Sequence, residues 1–271
     1  MSGAGLRSRL GGFLLSLTSV LFFAGVFLPY PALEDPGVTA VGDYAGSPLP
    51  TATETERDSQ LFCAAGTCIQ VVAGSLSPDR GAVLAGAARI LGLKQVKLAL
   101  LPDQEIERLF PAYGAPGAPP AAFSAPSLDL VVARSSRADD LPLLLHELGH
   151  LAAWGGPARL ESWAEEALVE AVARLLAAYL EDPRCAAPEP PAGCAFDPEG
   201  DPWPYDPFAS EEEWKLWMEL DPARAYSLAF RWAEAQPWSR SLGKALEVLR
   251  QVRTADAATL LGLYGLPAHS R

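Results

Sequence analysis

An α+β domain with a small sheet is the fold that this chain predicts, and three observations carry it. Apolar runs of strand and of helical character follow one another between residues 61 and 133 in the order strand, strand, helix, strand, helix, loop, strand. From residue 141 onward the apolar residues recur at helical spacing, so the sheet packs on helices that come mostly after it. With 271 residues, 49% of them hydrophobic, the chain can bury one substantial core.

Residues 1–29 precede that domain. Arg7 and Arg9 stand before an uncharged run from Leu10 to Leu28, close to the roughly 20 residues that span a bilayer. The run is longer than the apolar part of a cleaved signal, and the small residues around Ala24 and Ala32 make poor cleavage sites. A single-pass signal anchor is therefore expected, with the arginines cytoplasmic and the domain outside; cleavage would make the domain secreted. Residues 30–58 are rich in Pro, Gly, Thr and Asp without an apolar period and read as a linker, which leaves residues 59–271 as the folded domain.

The formal charge is −12, and residues 1–29 hold two of the 21 basic residues and no acid, so the rest carries 19 basic against 33 acidic residues. Such a surface repels phosphate backbones, and nucleic acid is excluded as a partner. Four cysteines form two close pairs, Cys63 with Cys68 and Cys185 with Cys194, which predict two local disulfides in an oxidising compartment. Neither spacing is that of a zinc knuckle.

Within the domain, Leu61–Cys63 and Cys68–Ala73 flank Ala64-Ala65-Gly66-Thr67 as a hairpin that the first disulfide cross-links. Ser77-Pro78-Asp79 opens a helix to about Leu91, with serine as N-cap and proline in the first turn, and Gly92 closes it. Lys94–Leu101 is a strand, Asp103–Phe110 a short helix, 111–126 a loop with five prolines and two glycines, and Leu128–Ala133 a strand. If that last strand lies at the sheet edge, its free backbone groups can bind an extended peptide. After residue 183 comes a stretch to 208 with eight prolines, Trp203, Tyr205 and Phe208, and then helical segments at about 210–219, 222–235, 241–253 and 256–263.

The stretch with the most chemistry is a helix that starts near Asp139-Asp140 and contains His146-Glu147-Leu148-Gly149-His150. Two histidines four apart share one helix face and can hold one metal ion, and the glutamate after the first sits where a general base is needed. Leu143, Leu144, Leu145, Leu148, Leu151 and Ala152 surround them, so the polar groups are buried unless a ligand satisfies them. Only three histidines occur in the chain, and the third, His269, stands in a polar tail and is not expected to ligate. Ala153 and Gly156 occupy the places where an extended three-histidine pattern would put glycine and histidine, so that pattern fails.

A second helix, from about Leu160 to Leu180 after the short connector Gly155–Ala158, offers Glu161, Glu165, Glu166 and Glu170. Its apolar stripe centres near Ala164, Leu168, Ala171 and Leu175, which brings Glu161 and Glu165 closer to it and turns Glu166 away. The helix is apolar nearly all round, so this stripe is a weak guide, and Glu165 remains an alternative third ligand. Glu170, one turn past Glu166, reads equally as an orienting carboxylate or as a solvated acid.

The residues from about 144 to 170 resemble the gluzincin metallopeptidases, more specifically the peptidase-MA-like group, whose pattern is H-E-x-x-H followed by a helix reading W-x-x-E-G-x-A-E. Here that helix reads Trp163-Ala164-Glu165-Glu166-Ala167-Leu168-Val169-Glu170, with Ala167 in place of the family glycine. The resemblance implies a zincin-like domain with a small sheet, an H-E-x-x-H helix, a ligand-glutamate helix and a C-terminal helical subdomain, after one N-terminal transmembrane helix. It implies Zn²⁺ held by His146, His150 and Glu166, and Glu147 as general base for a metal-activated water. It also implies an oxyanion-stabilising group from the C-terminal helices, for which Tyr226 is the candidate. The expected function is thus a membrane-anchored, extracytoplasmic zinc metallopeptidase acting on a peptide or protein substrate. The alternative is a non-catalytic zincin-fold binding or assembly module, for which Glu147 would have no use.

Overall fold

In the computed structural model, residues 55–56, 59–109, 120–186, 194 and 206–270 are described. The chain divides into two compact units, Met1–Glu34 and Asp35–Arg271, and every described residue belongs to the second. The segment expected to be the anchor, 1–29, and most of the linker lie outside the described residues, as do Trp203 and Tyr205. Among the described residues no helix is long and apolar enough to cross a membrane.

The expected hairpin forms where the turn residues require it. Strands β2 (Ser59–Ala64) and β3 (Thr67–Ala73) pair antiparallel around Ala65 and Gly66, whose φ angles of 44° and 91° suit a tight two-residue turn. Cys63 stands directly opposite Cys68, with Cα atoms 4.1 Å apart, and the disulfide closes the pair. A two-residue strand, β1 (Thr55–Glu56), adds to the outer edge of β2.

Helix α1 (Pro78–Ile90) is capped by the Ser77 hydroxyl, which accepts from the Arg80 amide at 3.3 Å, and returns the chain to β4 (Gln95–Leu101), parallel to β3. Helix α2 (Asp103–Leu109) precedes β5 (Ala122–Ala125) and β6 (Leu130–Arg134), and the sheet runs β1-β2-β3-β4-β6-β5. One face packs Ile69, Val96, Leu98 and Val131 against Leu84 of α1 and Leu144 of the next helix. The other face carries α2, through Ile106 against Ala99 and Val132.

The condition set for the strand before the histidine helix is not met, and one expectation is corrected. That strand, β6, pairs on both sides, with β4 and with β5, and so is not the edge. The edge on this side is β5, inside the stretch read as loop. Its sequence, Ala-Phe-Ser-Ala, has no β-branched residue and lies between Pro120 and Pro126, so propensity hides it, whereas an edge position tolerates both prolines.

Helix α3 (Leu141–Ala153) begins at Asp140, whose Oδ1 accepts from the Leu143 amide at 3.2 Å, with Pro142 in the first turn. The connector contains a second unexpected strand, β7 (Ala158–Leu160), which pairs antiparallel with β8 (Ala268–Ser270) in the stretch read as a polar tail. Three-residue strands carry almost no periodic signal, and their partners are about 110 residues apart in the register Ala158 to Ser270.

Helix α4 (Ser162–Glu181) is the centre of the molecule, with eleven buried residues distributed around it, Trp163, Leu168, Val172 and Leu176 among them. Helices α5 (Glu211–Leu220), α6 (Pro222–Ala235), α7 (Leu242–Val252) and α8 (Ala257–Tyr264) match the expected segments closely. Each begins at a residue whose side chain accepts an amide from the first turn: Ser210, Asp221, Ser241 and Asp256. An aromatic cluster fixes them on α4. Trp163 meets Trp232 edge-on with ring centroids 4.9 Å apart and Phe208 at 5.9 Å, and Phe208 meets Trp214 at 5.1 Å. The second disulfide, Cys185–Cys194, joins the end of the α4 segment to the proline-rich stretch.

Gly156, in the connector, packs so closely on the end of α7 that an added Cβ would lie 2.0 Å from the Val252 carbonyl oxygen. Gly86, inside α1, has open space around its Cβ position. Gly156→Ala is expected to destabilise the protein by about 2 kcal/mol or more, and Gly86→Ala to stabilise it by about 0.5–1 kcal/mol. Denaturant unfolding of the two variants against the parent checks both signs.

Candidate metal centre

Helix α3 places His146 and His150 one turn apart, and α4 packs across them closely enough that a Cβ on Gly149 would meet Val169 Cγ1 at 2.7 Å. The absence of a side chain at Gly149 lets the two helices approach, and the approach brings the α4 carboxylates to the imidazoles. His146 Nε2 lies 3.1 Å from His150 Nε2 and 3.1 Å from Glu166 Oε2, and His150 Nε2 lies 3.5 Å from Glu166 Oε1. His146, His150 and Glu166 each offer one ligand atom within 4.8 Å of the others, and together they can hold a metal ion.

The opposite nitrogens of the rings are held by two other acids of the same helix. His146 Nδ1 is 3.0 Å from Glu170 Oε2, and His150 Nδ1 is 2.9 Å from Glu165 Oε1. With Nδ1–H donating to a carboxylate on each ring, both Nε2 lone pairs face inward towards the Glu166 carboxylate. Two inward lone pairs 3.1 Å apart repel, and one cation between the rings and the carboxylate would satisfy all three atoms at once. This arrangement fits a metal ion. Two imidazoles and a carboxylate suit zinc and other borderline divalent ions.

The four acids of the second helix take separate places. Glu166 joins the cluster, Glu165 orients His150, and Glu170 orients His146 while accepting from Arg174 Nε at 2.6 Å. Glu161 turns away, accepting from Trp163 Nε1 at 2.7 Å. The apolar stripe misleads because α4 is buried on several sides, so its mean apolar direction does not identify the side facing α3. Orientation by Glu165 is the role that the sequence reading missed.

Glu147 is only 6% exposed and stands outside the ligand cluster. Burial pushes its carboxyl up, against the pull of both imidazoles and of a hydrogen bond with Ser124. Tyr226, on α6, is half-buried and packs edge-on against Trp214 at 5.6 Å. Burial, and then the charges of Glu166, Glu147 and Glu170, push its phenol up, so it stays protonated and faces the same field. His269 stands outside the cluster: its Nε2 lies 3.5 Å from Glu161 Oε1 across the β7–β8 pair.

A cavity of about 250 Å³ opens on the centre, lined by Ser124 and Pro126 at the end of β5, His150, Trp154, Arg159 and Glu166. The site therefore lies between the sheet edge and the start of α4. No protein-family model, curated protein or solved structure matches this chain.

Two expected outcomes follow from the ligand geometry. The purified protein should retain about one divalent ion per chain, measured by elemental analysis, and His146→Ala and Glu166→Gln should each abolish retention. Glu165→Gln should weaken affinity by roughly 10- to 100-fold at most, because it removes an orienting charge and not a ligand.

The second outcome concerns pH. Burial opposes charge on His146, but hydrogen bonds to Glu166 and Glu170 outweigh it and raise this group from 6.5 to about 9, and His150 is likewise raised well above its usual value. A group raised on folding stabilises the fold fully below its unfolded value and loses that contribution as pH rises through its folded one. The metal-free protein should thus lose thermal stability between pH 6.5 and about 9, and His146→Ala should flatten that slope. Melting curves of both forms in chelator decide.

Proposed function

We propose that this chain is a zinc metallopeptidase of the gluzincin type, with a zincin-like domain tethered outside the cytoplasm by residues 1–29. The observation that carries the reading is Glu147: a buried carboxylate beside two metal-binding imidazoles that takes no part in the ligand cluster. A purely structural site has four protein ligands and no use for such an acid, whereas His146, His150 and Glu166 make three. The two disulfides support an oxidising compartment.

Bound by these three residues, Zn²⁺ supplies Lewis-acid polarisation of a water and of a carbonyl. The chain's own residues do the rest. Glu147 takes a proton from the attacking water as its oxygen bonds to the carbonyl carbon, and returns a proton to the nitrogen as the C–N bond breaks. The elevated affinity of Glu147 for a proton, caused by burial, suits a group that must hold one between the two steps. The Tyr226 phenol, kept protonated, donates to the oxygen that becomes negative. Glu165 and Glu170 hold the two rings in position.

Peptide as the substrate class is supported by β5. Among the described residues it pairs with β6 alone, and its end at Ser124 and Pro126 lines the cavity. An extended chain added to that edge would pass the centre with its carbonyl groups presented to it.

Glu147→Gln keeps the size and hydrogen bonding of the side chain and cannot accept the proton. It is expected to retain the metal and lower kcat by roughly 10²- to 10⁴-fold, while Tyr226→Phe lowers kcat by about 10²-fold with little change in KM. Metal content and cleavage of a diverse peptide library measure this. A parent protein that holds the metal and cleaves nothing would favour the non-catalytic binding module.

A further inference from the structure

Arg159 is the middle residue of β7. Alternation along Ala158–Leu160 buries the two outer residues and leaves Arg159 exposed, yet it lines the same cavity as His150 and Glu166. Apart from His150 it is the one basic residue of that wall. In a chain of net charge −12 acidic residues outnumber basic ones by 33 to 21, so a carboxylate partner is the ordinary expectation for an arginine.

Those nearby are committed elsewhere. Glu165 holds His150 Nδ1 at 2.9 Å, and Glu166 faces both imidazoles at 3.1 and 3.5 Å. Glu161 accepts from Trp163 Nε1 at 2.7 Å and lies 3.5 Å from His269 Nε2. Glu211 accepts from the Ser162 amide at 2.8 Å and from its hydroxyl at 2.6 Å. Among the described residues no carboxylate pairs with Arg159, and β7 does not need one: its backbone is fixed by β8, with Arg159 opposite His269.

We propose that Arg159 recognises a carboxylate of the substrate, so that the cleft selects peptides carrying an acidic side chain or a free C-terminal end beside the cleaved bond. A guanidinium presents a planar fork that matches a carboxylate with two parallel hydrogen bonds. The acidic surface elsewhere does not prevent this, because exposed charges are screened beyond about 8 Å at physiological ionic strength, and the wall charge acts at contact. Arg159 touches the substrate and not the reacting atoms, so it is a specificity-determining residue.

The inference rests on the peptidase reading, and its test separates the two. In the metal-loaded Glu147→Gln protein, short peptides are bound without turnover. Affinity is compared for peptides with Glu or Gln at each position and with a C-terminal acid or amide. The acid forms should bind roughly 10- to 100-fold more tightly than the amides. Adding Arg159→Gln should bring the ratio to about one, and Arg159→Lys should keep part of it. The position of the effective acid tells a side chain from a chain end. Equal affinity for acid and amide forms, absence of binding included, overturns the proposal, as does a preference that survives Arg159→Gln. If acid selection is found and lost with Arg159 while the parent cleaves none of these peptides, the carboxylate site stands and the peptidase reading falls.

Discussion

Three candidate ligand atoms from two apolar helices meet in one half-buried place, and that convergence is the constraint on which the rest of the structure depends. Unsatisfied polar atoms at such depth are costly, so the imidazoles and Glu166 must be bonded on every side. Glu165 and Glu170 bond the outer nitrogens, and the inner ones, with Glu166, form a group that can hold a metal ion. The same helix supplies the ligand and both orienting acids, which makes the rotation of α4 against α3 the quantity that the fold has to hold. Gly149 allows the approach, and a single turn of drift in α4 would replace all three contacts together.

The remainder of the domain reads as support for that rotation. Trp163, one residue into α4, is fully buried between Trp232 and Phe208, so the C-terminal helices grip α4 near the residues that matter. The connector before it is pinned twice, by Gly156 against the Val252 carbonyl and by β7 against β8. A two-stranded pair built from the connector and the chain's last described residues places Arg159 on the cavity wall without a salt bridge. The sheet contributes less to the site itself: its edge strand β5 brings Ser124 to Glu147 and leaves one backbone edge beside the cavity.

Charge distribution gives the site its character. The chain is strongly acidic, yet the acids around the centre are each committed: to an imidazole, an indole, an amide or the metal site. That leaves Glu147 as the buried carboxylate outside the ligand set, and Arg159 as a cation of the cavity wall that pairs with no carboxylate among the described residues. In the proposed reaction Glu147 would serve the reacting bond, and Arg159, on the cavity wall beside His150 and Glu166, would choose which bond it is.

Much of this was legible in the amino-acid order. His146 and His150 announce themselves because helical spacing alone puts them on one face, with Glu147 beside the first, and that part of the candidate site is local. The helices are legible for the same reason: caps such as Ser77, Asp140, Ser210 and Asp256 and periods of 3.6 residues are short-range properties. The close cysteine pairs are local as well. What only the tertiary structure decided is long-range or too short to carry a period. The α4 stripe averages over a helix buried on several sides, so the choice between Glu165 and Glu166 required α3 to be in place. Strands of three and four residues, β5, β7 and β8, have partners fixed by packing and not by propensity, and it is β5, not β6, that stands at the edge. Arg159 was invisible as a functional residue because nothing in its neighbours marks it: its role depends on the cavity it faces and on carboxylates that other residues have already bound.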